Sequence, residues 1–306
     1  MGILNDISTQ LFHRPDYPNT DFSGKTIIVT GSNVGLGKEA VKRLVRLNAE
    51  KIIIAVRSIA KGEAAKAEIE SEIFAKRAAT LDCLDAVVLD AGIATEKFEI
   101  LEDNESTITV NVISSVLLGL LLLPTLRSSA KQWGFEPTLT IVGSGVHAYT
   151  SFPERNMANS IETLNNRQTA VIYQVSKLLQ LFAVREIAEQ TANKKPSVMV
   201  NTLEPGLCHT DLTRHAEGIT AVVMGLMSYL MAWTAEEGSR NSVLATTAGP
   251  ESHGVMMSGG RIKSNILSPF VPSDEGRKTQ EKMWREIAAK IEKIQPGIMA
   301  ELGLHA

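Results

Sequence analysis

TIIVTGSNVGLGKEAVKRLVRLNAEKIIIAVRS, residues Thr26 to Ser58, is the stretch of the sequence that decides the fold. It begins with a short β-branched run, Thr26–Thr30, which is typical of a buried strand. Apolar residues then recur at helical spacing from Ala40 to Leu47, and Lys51–Val56 is a second apolar run that predicts another buried strand. A strand, a turn, a helix and a strand in this order predict a βαβ unit of a parallel sheet.

Glycines punctuate the turn between the first strand and the helix, at Gly31, Gly35 and Gly37. Glycine tolerates positive φ and carries no Cβ, so a ligand can approach the backbone closely. The N-terminus of a helix also offers unpaired N–H groups to a phosphate. The spacing G-x-x-x-G-x-G differs from the usual dinucleotide fingerprint G-x-G-x-x-G. It therefore indicates a phosphate-binding turn, with a tight turn that binds no ligand as the alternative.

The second strand of the unit ends in Arg57, and Lys61 follows in the first turn of the next predicted helix. An acidic residue here would bind the ribose 2′-hydroxyl of NAD, whereas an arginine suits the 2′-phosphate of NADP. The two cations therefore favour NADP, provided that a dinucleotide binds. In the alternative interpretation, both are solvated surface charges.

The composition restricts the classes of protein to consider. The chain has 306 residues and a formal net charge of −3, without the basic blocks of nucleic-acid-binding proteins. Its two cysteines, Cys83 and Cys208, are too few for a disulfide framework and have no metal-ligand neighbours at a recognised spacing. The most apolar stretches, Val112–Leu123 and Ile219–Trp233, are shorter than the roughly 18–20 residues of a membrane span. We therefore expect a cytoplasmic protein without a metal site, a nucleic-acid partner or a transmembrane segment.

Strand and helix patterns alternate along the chain without a linker, which predicts a single doubly wound α/β domain of the Rossmann type, with a parallel sheet and helices on both faces. Residues 1–22 contain Pro15 and Pro18 and show no clear period, so we assign them to an N-terminal arm and residues 23–306 to the domain. Further strands are predicted at 86–89, 139–142, 197–203 and 254–257, and further helices at 60–79, 106–130, 168–193, 274–294 and from Thr234 onward.

Three polar residues form a candidate catalytic group. Tyr173 and Lys177 are four residues apart in one predicted helix, so they share a face. Ser144 follows a predicted strand, and ligands of open α/β sheets bind at the carboxyl ends of the strands. Each feature alone is commonplace, and Tyr-x-x-x-Lys is more often found on a surface than in an active site.

Taken together with the glycine turn, these residues resemble the motifs of the short-chain dehydrogenase/reductase family. The resemblance covers about residues 23–257. The long interval between Ser144 and Tyr173 and the AVRS at the second strand are similar to the branch of retinol dehydrogenase-type and fungal secondary-metabolite reductases. The matching elements are TGSNVGLG at Thr30–Gly37, Ala91-Gly92, Asn111, Ser144, YQVSK at Tyr173–Lys177, and Pro205-Gly206 with Thr210.

The resemblance implies hydride transfer between NADP and a carbonyl or secondary alcohol. Tyr173 would give its proton to the developing alkoxide, and Ser144 would hold the substrate oxygen. Lys177 would lower the pKa of the phenol and bind the nicotinamide ribose. Asn111 would position a water molecule for proton relay.

The resemblance also implies the cofactor contacts and the partners. The expected partners are a lipophilic small-molecule substrate and a second copy of the chain in a homodimer. The cofactor contacts carried over are Gly31, Ser32, Asn33, Gly35, Leu36, Gly37, Arg57, Lys61, Asp90, Ala91, Gly92, Asn111, Tyr173, Lys177, Pro205, Gly206 and Thr210.

The sequence departs from the family pattern in two ways. Asp90 stands where the family has the asparagine of Asn-Ala-Gly, and we expect its carboxylate beside the adenosine half of the cofactor to be repelled, protonated or paired. Only one helical pattern separates Arg57 from the strand at 86–89, where the family has a helix, a strand and a helix. About 20–25 residues are missing, which is the length of an edge strand and its crossover. The predicted sheet therefore lacks its third strand and leaves the second strand, and half of the adenine pocket, without cover.

Residues 207–235 are expected to form a substrate lobe over the carboxyl ends of the strands. Met224, Met227 and Met231 recur at helical spacing near Leu226, Leu230 and Trp233, which suits a lid over an apolar substrate; packing on the core or on a second subunit is the alternative. Two other functions also remain open. One is an isomerase or cyclase that uses Tyr173 without redox chemistry, and the other is a non-catalytic binding protein.

Overall fold

The computed structural model describes residues 3–73, 83–95, 97–166, 172–210, 212, 218–263 and 265–305. The strands in chain order are β1 (Thr26–Thr30), β2 (Lys51–Ala55), β3 (Ala86–Leu89), β4 (Ile100–Leu101), β5 (Asn104–Glu105), β6 (Thr138–Val142), β7 (Met199–Glu204), β8 (Met256–Ser258) and β9 (Arg261–Ile262). The α-helices are α1 (Ile3–Phe12), α2 (Gly35–Arg46), α3 (Ile59–Ile73), α4 (Ser115–Trp133), α5 (Ser160–Leu164), α6 (Ile172–Thr191), α7 (Gly218–Met231), α8 (Ala235–Ala245), α9 (Asp274–Ile294) and α10 (Ile298–Leu302). A π-helix, Ile108–Ser114, leads directly into α4.

The central sheet has the strand order β2-β1-β3-β6-β7-β8-β9. The first six of these strands are parallel, and β9 alone pairs antiparallel, with β8. This arrangement confirms the predicted α/β domain with a doubly wound parallel sheet. The sequence did not predict β9, because two residues after a Gly-Gly pair show no period.

Alternate residues of the strands point into two separate cores, which places helices on both faces. Ile28, Val87 and Leu89 pack with α4, α6 and α9 on one face. Ile27 and Val29 pack with α2 and α8 on the other.

β2 is the edge of the sheet among the described residues, where it pairs only with β1. Every residue of β1, β3 and β6 is buried, whereas every residue of β2 is half-buried. The prediction of a buried second strand was therefore wrong, while the predicted loss of cover over that strand agrees with the structure. The last residues of the helix predicted at 60–79, from 74 onward, lie outside the described residues, as do the first four residues of the helix predicted at 168–193.

Within the described chain, the helix Ile108–Trp133 is long and apolar enough to cross a membrane. The expectation that no segment reaches this length was wrong, because the helix continues beyond the apolar run at both ends. More than half of its apolar window is buried, at 56%, and Val116, Leu120, Leu123 and Leu126 are fully buried. These features are those of a core helix.

Residues 3–12 of the N-terminal arm form the helix α1. We did not predict it, although Ile3, Ile7 and Leu11 recur every four residues. The prolines at 15 and 18 follow the end of this helix and do not interrupt it.

Candidate functional site

The glycine turn between β1 and α2 lies against two other segments that were predicted to contact the cofactor. Gly31 has a φ of +66°, and a Cβ at this position would lie 3.0 Å from the Cα of Ala91. Gly35 has a φ of +57°, and a Cβ there would lie 3.6 Å from Cγ2 of Thr210. The turn, the segment after β3 and the segment after β7 therefore meet at the carboxyl edge of the sheet.

Asp90 lies beneath this turn. The backbone N–H of Gly37 donates a hydrogen bond to its carboxylate, and a Cβ at Gly37 would lie 2.9 Å from Oδ2. Burial raises the pKa of Asp90 to about 6, against the opposing effects of the Lys177 ammonium and the Gly37 bond. The structure thus couples Asp90 to the predicted catalytic lysine, whereas the sequence placed it only beside the adenosine half of the cofactor.

The candidate catalytic residues converge from β6 and α6. Ser144 lies two residues beyond the end of β6, in extended conformation, and its hydroxyl is hydrogen-bonded to the phenol of Tyr173. Lys177 is buried and its Nζ lies 5.9 Å from the centroid of the Tyr173 ring. Nζ donates to the carbonyl of Val142, at 2.9 Å. Three residues from two distant parts of the chain therefore form one cluster.

The electrostatics of this cluster differ from expectation. Burial raises the pKa of Tyr173 to about 12, and the hydrogen bond from Ser144 opposes this shift only in part. Burial lowers the pKa of Lys177 to about 8, while the nearby Asp90 carboxylate opposes that shift. The expected lowering of the tyrosine pKa by Lys177 is not found, since burial determines the direction of the shift and the Ser144 hydrogen bond is what opposes it.

Asn111 lies in the π-helix before α4, with its side chain fully engaged. Nδ2 donates to the carbonyl of Ile93 at 2.9 Å and to Oγ of Ser176 at 3.0 Å, and Oδ1 accepts from the N–H of Ile93 at 2.9 Å. The amide therefore ties the segment after β3 to α6. A π-helix also shifts backbone hydrogen bonds out of the α-helical pattern and is frequent at functional sites.

His147 is a site residue that the sequence analysis missed. Its ring is buried, Nδ1 lies 2.9 Å from the Ser144 carbonyl, and the N–H of Ser268 points at Nε2 from 3.5 Å. Nδ1 therefore donates to Ser144 and fixes its backbone. The available signal was the histidine three residues after Ser144, within a stretch that we interpreted only as polar turns.

Four further predicted cofactor contacts lie in this region. Ser32, Asn33 and Leu36 belong to the glycine turn, and Gly92 lies near Lys177. Ser32 is buried and donates to the carbonyl of Val29 at 2.8 Å, so its hydroxyl stabilises the turn itself. Leu36 packs on α8, where a Cβ at Gly238 would lie 2.7 Å from its Cδ2. Asn33 is half-buried at the turn. Gly92 belongs to the catalytic side, since a Cβ there would lie 3.8 Å from the Lys177 Nζ.

Arg57 and Lys61 lie just beyond the carboxyl end of β2, and both side chains are exposed. Lys61 is in the first turn of α3, where its backbone N–H faces the Ser58 hydroxyl at 3.4 Å. The position is the one predicted, at the half-covered edge of the sheet.

The predicted substrate lobe contains α7. Leu226, Tyr229 and Leu230 are 59%, 83% and 63% exposed, so α7 is not packed into the core along these residues. The side chain of Met227 is 36% exposed. The side chain of Met224 lies outside the described part of the chain. Trp233, which we grouped with this apolar stripe, is instead buried and packs on Gly206, where a Cβ would lie 2.7 Å from the indole ring.

A search against models of protein families gave no match. Among curated proteins, the chain is 41% identical to the short chain dehydrogenase/reductase dmxR8 of Cryptosporiopsis sp., over 97% of this chain and 99% of the relative. It is 38% identical to the short-chain dehydrogenase anuD of Penicillium roqueforti, over 97% of this chain and 85% of the relative.

The first of these alignments extends over 328 residues, although it takes in 97% of a 306-residue chain. About 30 residues of the relative therefore have no counterpart here. This total is larger than the roughly 20–25 residues that we predicted to be missing between Arg57 and the strand at 86–89.

Solved structures share the fold. A short chain dehydrogenase from Shigella flexneri 2a, complexed with NADP, has a TM-score of 0.55 at 17% identity and covers 80% of this chain and 100% of its own. A 3-ketoacyl-(acyl-carrier-protein) reductase from Brucella melitensis, complexed with NADH, has a TM-score of 0.53 at 18% identity, over 78% of this chain and 97% of its own.

Proposed function

The chain belongs to the short-chain dehydrogenase/reductase family, and from this premise we propose that it is an NADP-dependent oxidoreductase that interconverts a carbonyl and a secondary alcohol on a lipophilic small molecule. One observation carries the proposal. Ser144, Tyr173 and Lys177 lie together at the carboxyl edge of the sheet, next to the glycine turn, where Ser144 is hydrogen-bonded to Tyr173 and the Lys177 Nζ lies 5.9 Å from the centroid of the Tyr173 ring. Nothing in the packing of an α/β domain requires these three residues together.

The residues at the carboxyl edge fit a nicotinamide dinucleotide. A Cβ at Gly31 would lie only 3.0 Å from the Cα of Ala91, and Gly31 and Gly35 both have a positive φ that favours glycine. The N-terminus of α2 follows this turn, and the start of a helix offers N–H groups to a phosphate. This turn would hold the phosphates, Thr210 and the Pro205-Gly206 backbone would hold the nicotinamide end, and Lys177 its ribose. NADPH would supply the hydride. The structures solved with NADP or NADH have this fold and support a nicotinamide cofactor.

The preference for NADP rests on Arg57 and Lys61. Both are exposed cations at the carboxyl end of β2, where a ribose 2′-phosphate would lie. A guanidinium binds phosphate through two parallel hydrogen bonds, which an ammonium cannot do. Arg57 would therefore make the main contact.

Tyr173 would act as the general acid. With a pKa raised to about 12, the phenol keeps its proton throughout the neutral range. A protonated phenol can donate to the alkoxide that forms during reduction of a carbonyl. The phenol is therefore in the protonated state that reduction of a carbonyl requires.

Ser144 and Lys177 would assist this proton transfer. The Ser144 hydroxyl, held by the His147 contact to its backbone, would donate a hydrogen bond to the substrate oxygen as negative charge develops. The Lys177 ammonium would stabilise the phenolate that remains after Tyr173 has given up its proton. Asn111 would position a water molecule of the proton relay, and its side-chain amide holds the segment after β3 against α6 through Ile93 and Ser176.

The substrate class follows from the lobe at 207–235. Its helix α7 contains no charged residue and exposes large apolar side chains. A surface of this kind suits a large lipophilic ketone. The resemblance to fungal secondary-metabolite reductases and the similarity to dmxR8 and anuD support a proposed role in secondary metabolism.

The experiment is to follow NADPH consumption with a panel of aromatic and polycyclic ketones, for the wild type and Tyr173→Phe. The proposal expects consumption with at least one bulky ketone, which the substitution abolishes. Conversion of a ketone that depends on Tyr173 but consumes no NADPH would assign the site to an isomerase or cyclase. A wild type that neither binds NADPH nor converts any ketone would contradict the proposal.

A further inference from the structure

Gln10, near the end of α1, bridges two parts of the chain that lie about 200 residues away. Its Nε2 donates to the carbonyls of Leu207 and Met231, at 2.8 and 2.9 Å. Its Oε1 accepts from the N–H of Leu207 at 2.9 Å, and its own carbonyl accepts from Nε1 of Trp233 at 2.7 Å. One residue therefore makes four hydrogen bonds to the two ends of the 207–233 segment.

These two ends also pair with each other. The N–H of Trp233 donates to the Leu207 carbonyl at 2.8 Å, and the N–H of His209 donates to the Trp233 carbonyl at 2.9 Å. The chain thus leaves the sheet and returns to it at one short bridge. Gln10 bonds the N–H of Leu207 and the carbonyl of Met231, which the bridge leaves unused, and adds a second bond to the Leu207 carbonyl.

The bridge adjoins the cofactor cleft. Leu207 directly follows Pro205-Gly206, and a Cβ at Gly206 would lie 2.7 Å from the Trp233 ring and 2.9 Å from Oε1 of Gln10. Because residue 206 is glycine, the side-chain amide of Gln10 and the indole of Trp233 can lie against the backbone of residues 205–207. We call these three residues the wall of the cofactor cleft. The position of residues 205–207 is therefore set by Gln10.

The residues that follow α1 also contact the domain, at α8 and α2. Arg14 forms an ion pair with Glu237, which belongs to the capping box of α8. The ring of Tyr17 stacks on the guanidinium of Arg43 at 3.5 Å, and Arg240 donates to the carbonyl of Pro15 at 3.2 Å. The segment from Gln10 to Tyr17 is thus held along α8 and α2, which gives Gln10 a rigid support.

We infer that Gln10 is a positioning residue for the nicotinamide end of the cofactor. It acts through residues 205–207, whose backbone it holds in place. The inference rests on the proposed function, because it assumes that this wall contacts NADPH. Gln10 touches no ligand itself. Removal of the Gln10 side chain would make the backbone of residues 205–207 more mobile. It would not change the glycine turn, where the adenosine half of the cofactor would bind.

The test compares two ligands on the same variants. NADPH occupies both halves of the cleft, whereas adenosine 2′,5′-bisphosphate occupies only the adenosine half. Gln10→Ala should weaken NADPH binding roughly tenfold, the value of one or two part-buried hydrogen bonds, and leave the affinity for the bisphosphate within a factor of two or so. Thr9→Ala, one residue earlier in the same helix, is the control and should change neither affinity.

Amide hydrogen exchange at Leu207, His209 and Trp233 measures, without any ligand, how firmly Gln10 holds the two ends of the 207–233 segment. Gln10→Ala should speed exchange at these three amides and leave β1 and β6 protected. Gln10→Glu keeps the acceptor but removes the donors, so it should repeat the effect if Gln10→Ala folds poorly.

Equal weakening of both ligands would assign Gln10 to general stability, and unchanged NADPH affinity would overturn its positioning role. A wild type that binds neither ligand would overturn the proposed function and, with it, the cofactor role of Gln10. Exchange rates that stay unchanged in both Gln10 variants would overturn the inference alone.

Discussion

The two halves of the cofactor cleft differ in how completely they are built. On the nicotinamide side, β3 and β6 are buried at every residue, and Ser144, Tyr173 and Lys177 are held by named partners. On the adenosine side, β2 is half-buried at every residue, and Arg57 is exposed. A strand at the edge of a parallel sheet can be lost without shifting the register of the strands inside. The comparison teaches that the shortened chain keeps Ser144, Tyr173 and Lys177 together but leaves its second strand half-covered.

The largest effect is expected for Tyr173→Phe, which tests the nicotinamide side. Loss of the general acid should lower kcat by about 10²- to 10⁴-fold, measured with NADPH and a ketone that the wild type reduces. The dissociation constant of NADPH should stay within a few-fold, because no cofactor-packing atom is removed. Tyr17→Phe, which keeps its stacked ring, is the control. A Tyr173→Phe enzyme with kcat close to that of the wild type would refute the assigned role.

The next effect tests the adenosine side through Arg57→Ala. A charge-assisted hydrogen bond to the 2′-phosphate contributes about 1.5–3 kcal/mol, so KM for NADPH should rise ~10- to 150-fold and KM for NADH should hardly change. Lys51→Ala removes a cation from the opposite end of the same strand and should affect neither cofactor. Equal changes for NADPH and NADH in Arg57→Ala would make the arginine an ordinary surface charge.

Met227→Glu extends the comparison to the substrate lobe. If Met227 faces an apolar substrate, a carboxylate there should raise KM for a large lipophilic ketone about tenfold or more, as the loss of one buried apolar contact costs 1.5–3 kcal/mol. The melting temperature and the sedimentation coefficient should not change. Unfolding or altered sedimentation of Met227→Glu would assign the residue to packing or to a subunit contact.

The smallest effect concerns Asp90, at the junction of the two halves. Its pKa is raised from 3.8 to about 6, so between these pH values the folded protein keeps a proton that the unfolded chain has released. The free energy of unfolding should therefore fall as the pH rises from about 4 to 6, by about 1–3 kcal/mol relative to Asp90→Asn. Lys177 stays protonated in this interval, since its pKa is about 8. Denaturant titrations of both proteins at several pH values measure the difference, and a constant difference would show that Asp90 does not take up the proton.

Local patterns predicted the elements of the fold well. The β-branched run at Thr26–Thr30 and the helical spacing of Tyr173 and Lys177 depend on neighbours in sequence, and both elements lie where they were predicted. The edge position of β2 was predictable as well, because the missing length could be counted along the chain.

Features that depend on distant residues were not predictable. Gln10 and Trp233 are 223 residues apart, and no period in the sequence links them. The raised pKa of Tyr173 depends on burial, which only the packed structure defines. The amide of Asn111 is likewise engaged by backbone groups of Ile93 that the sequence cannot place.

The central claim is that a complete nicotinamide side still binds the cofactor despite the reduced adenosine side. The most direct measurement is a titration of the purified protein with NADPH, in which the fluorescence of the reduced nicotinamide is recorded. We predict saturable enhancement of this emission in the wild type and in Tyr173→Phe, with a weaker affinity in Arg57→Ala. No change in nicotinamide emission for the wild type, at any NADPH concentration up to the millimolar range, would contradict the account.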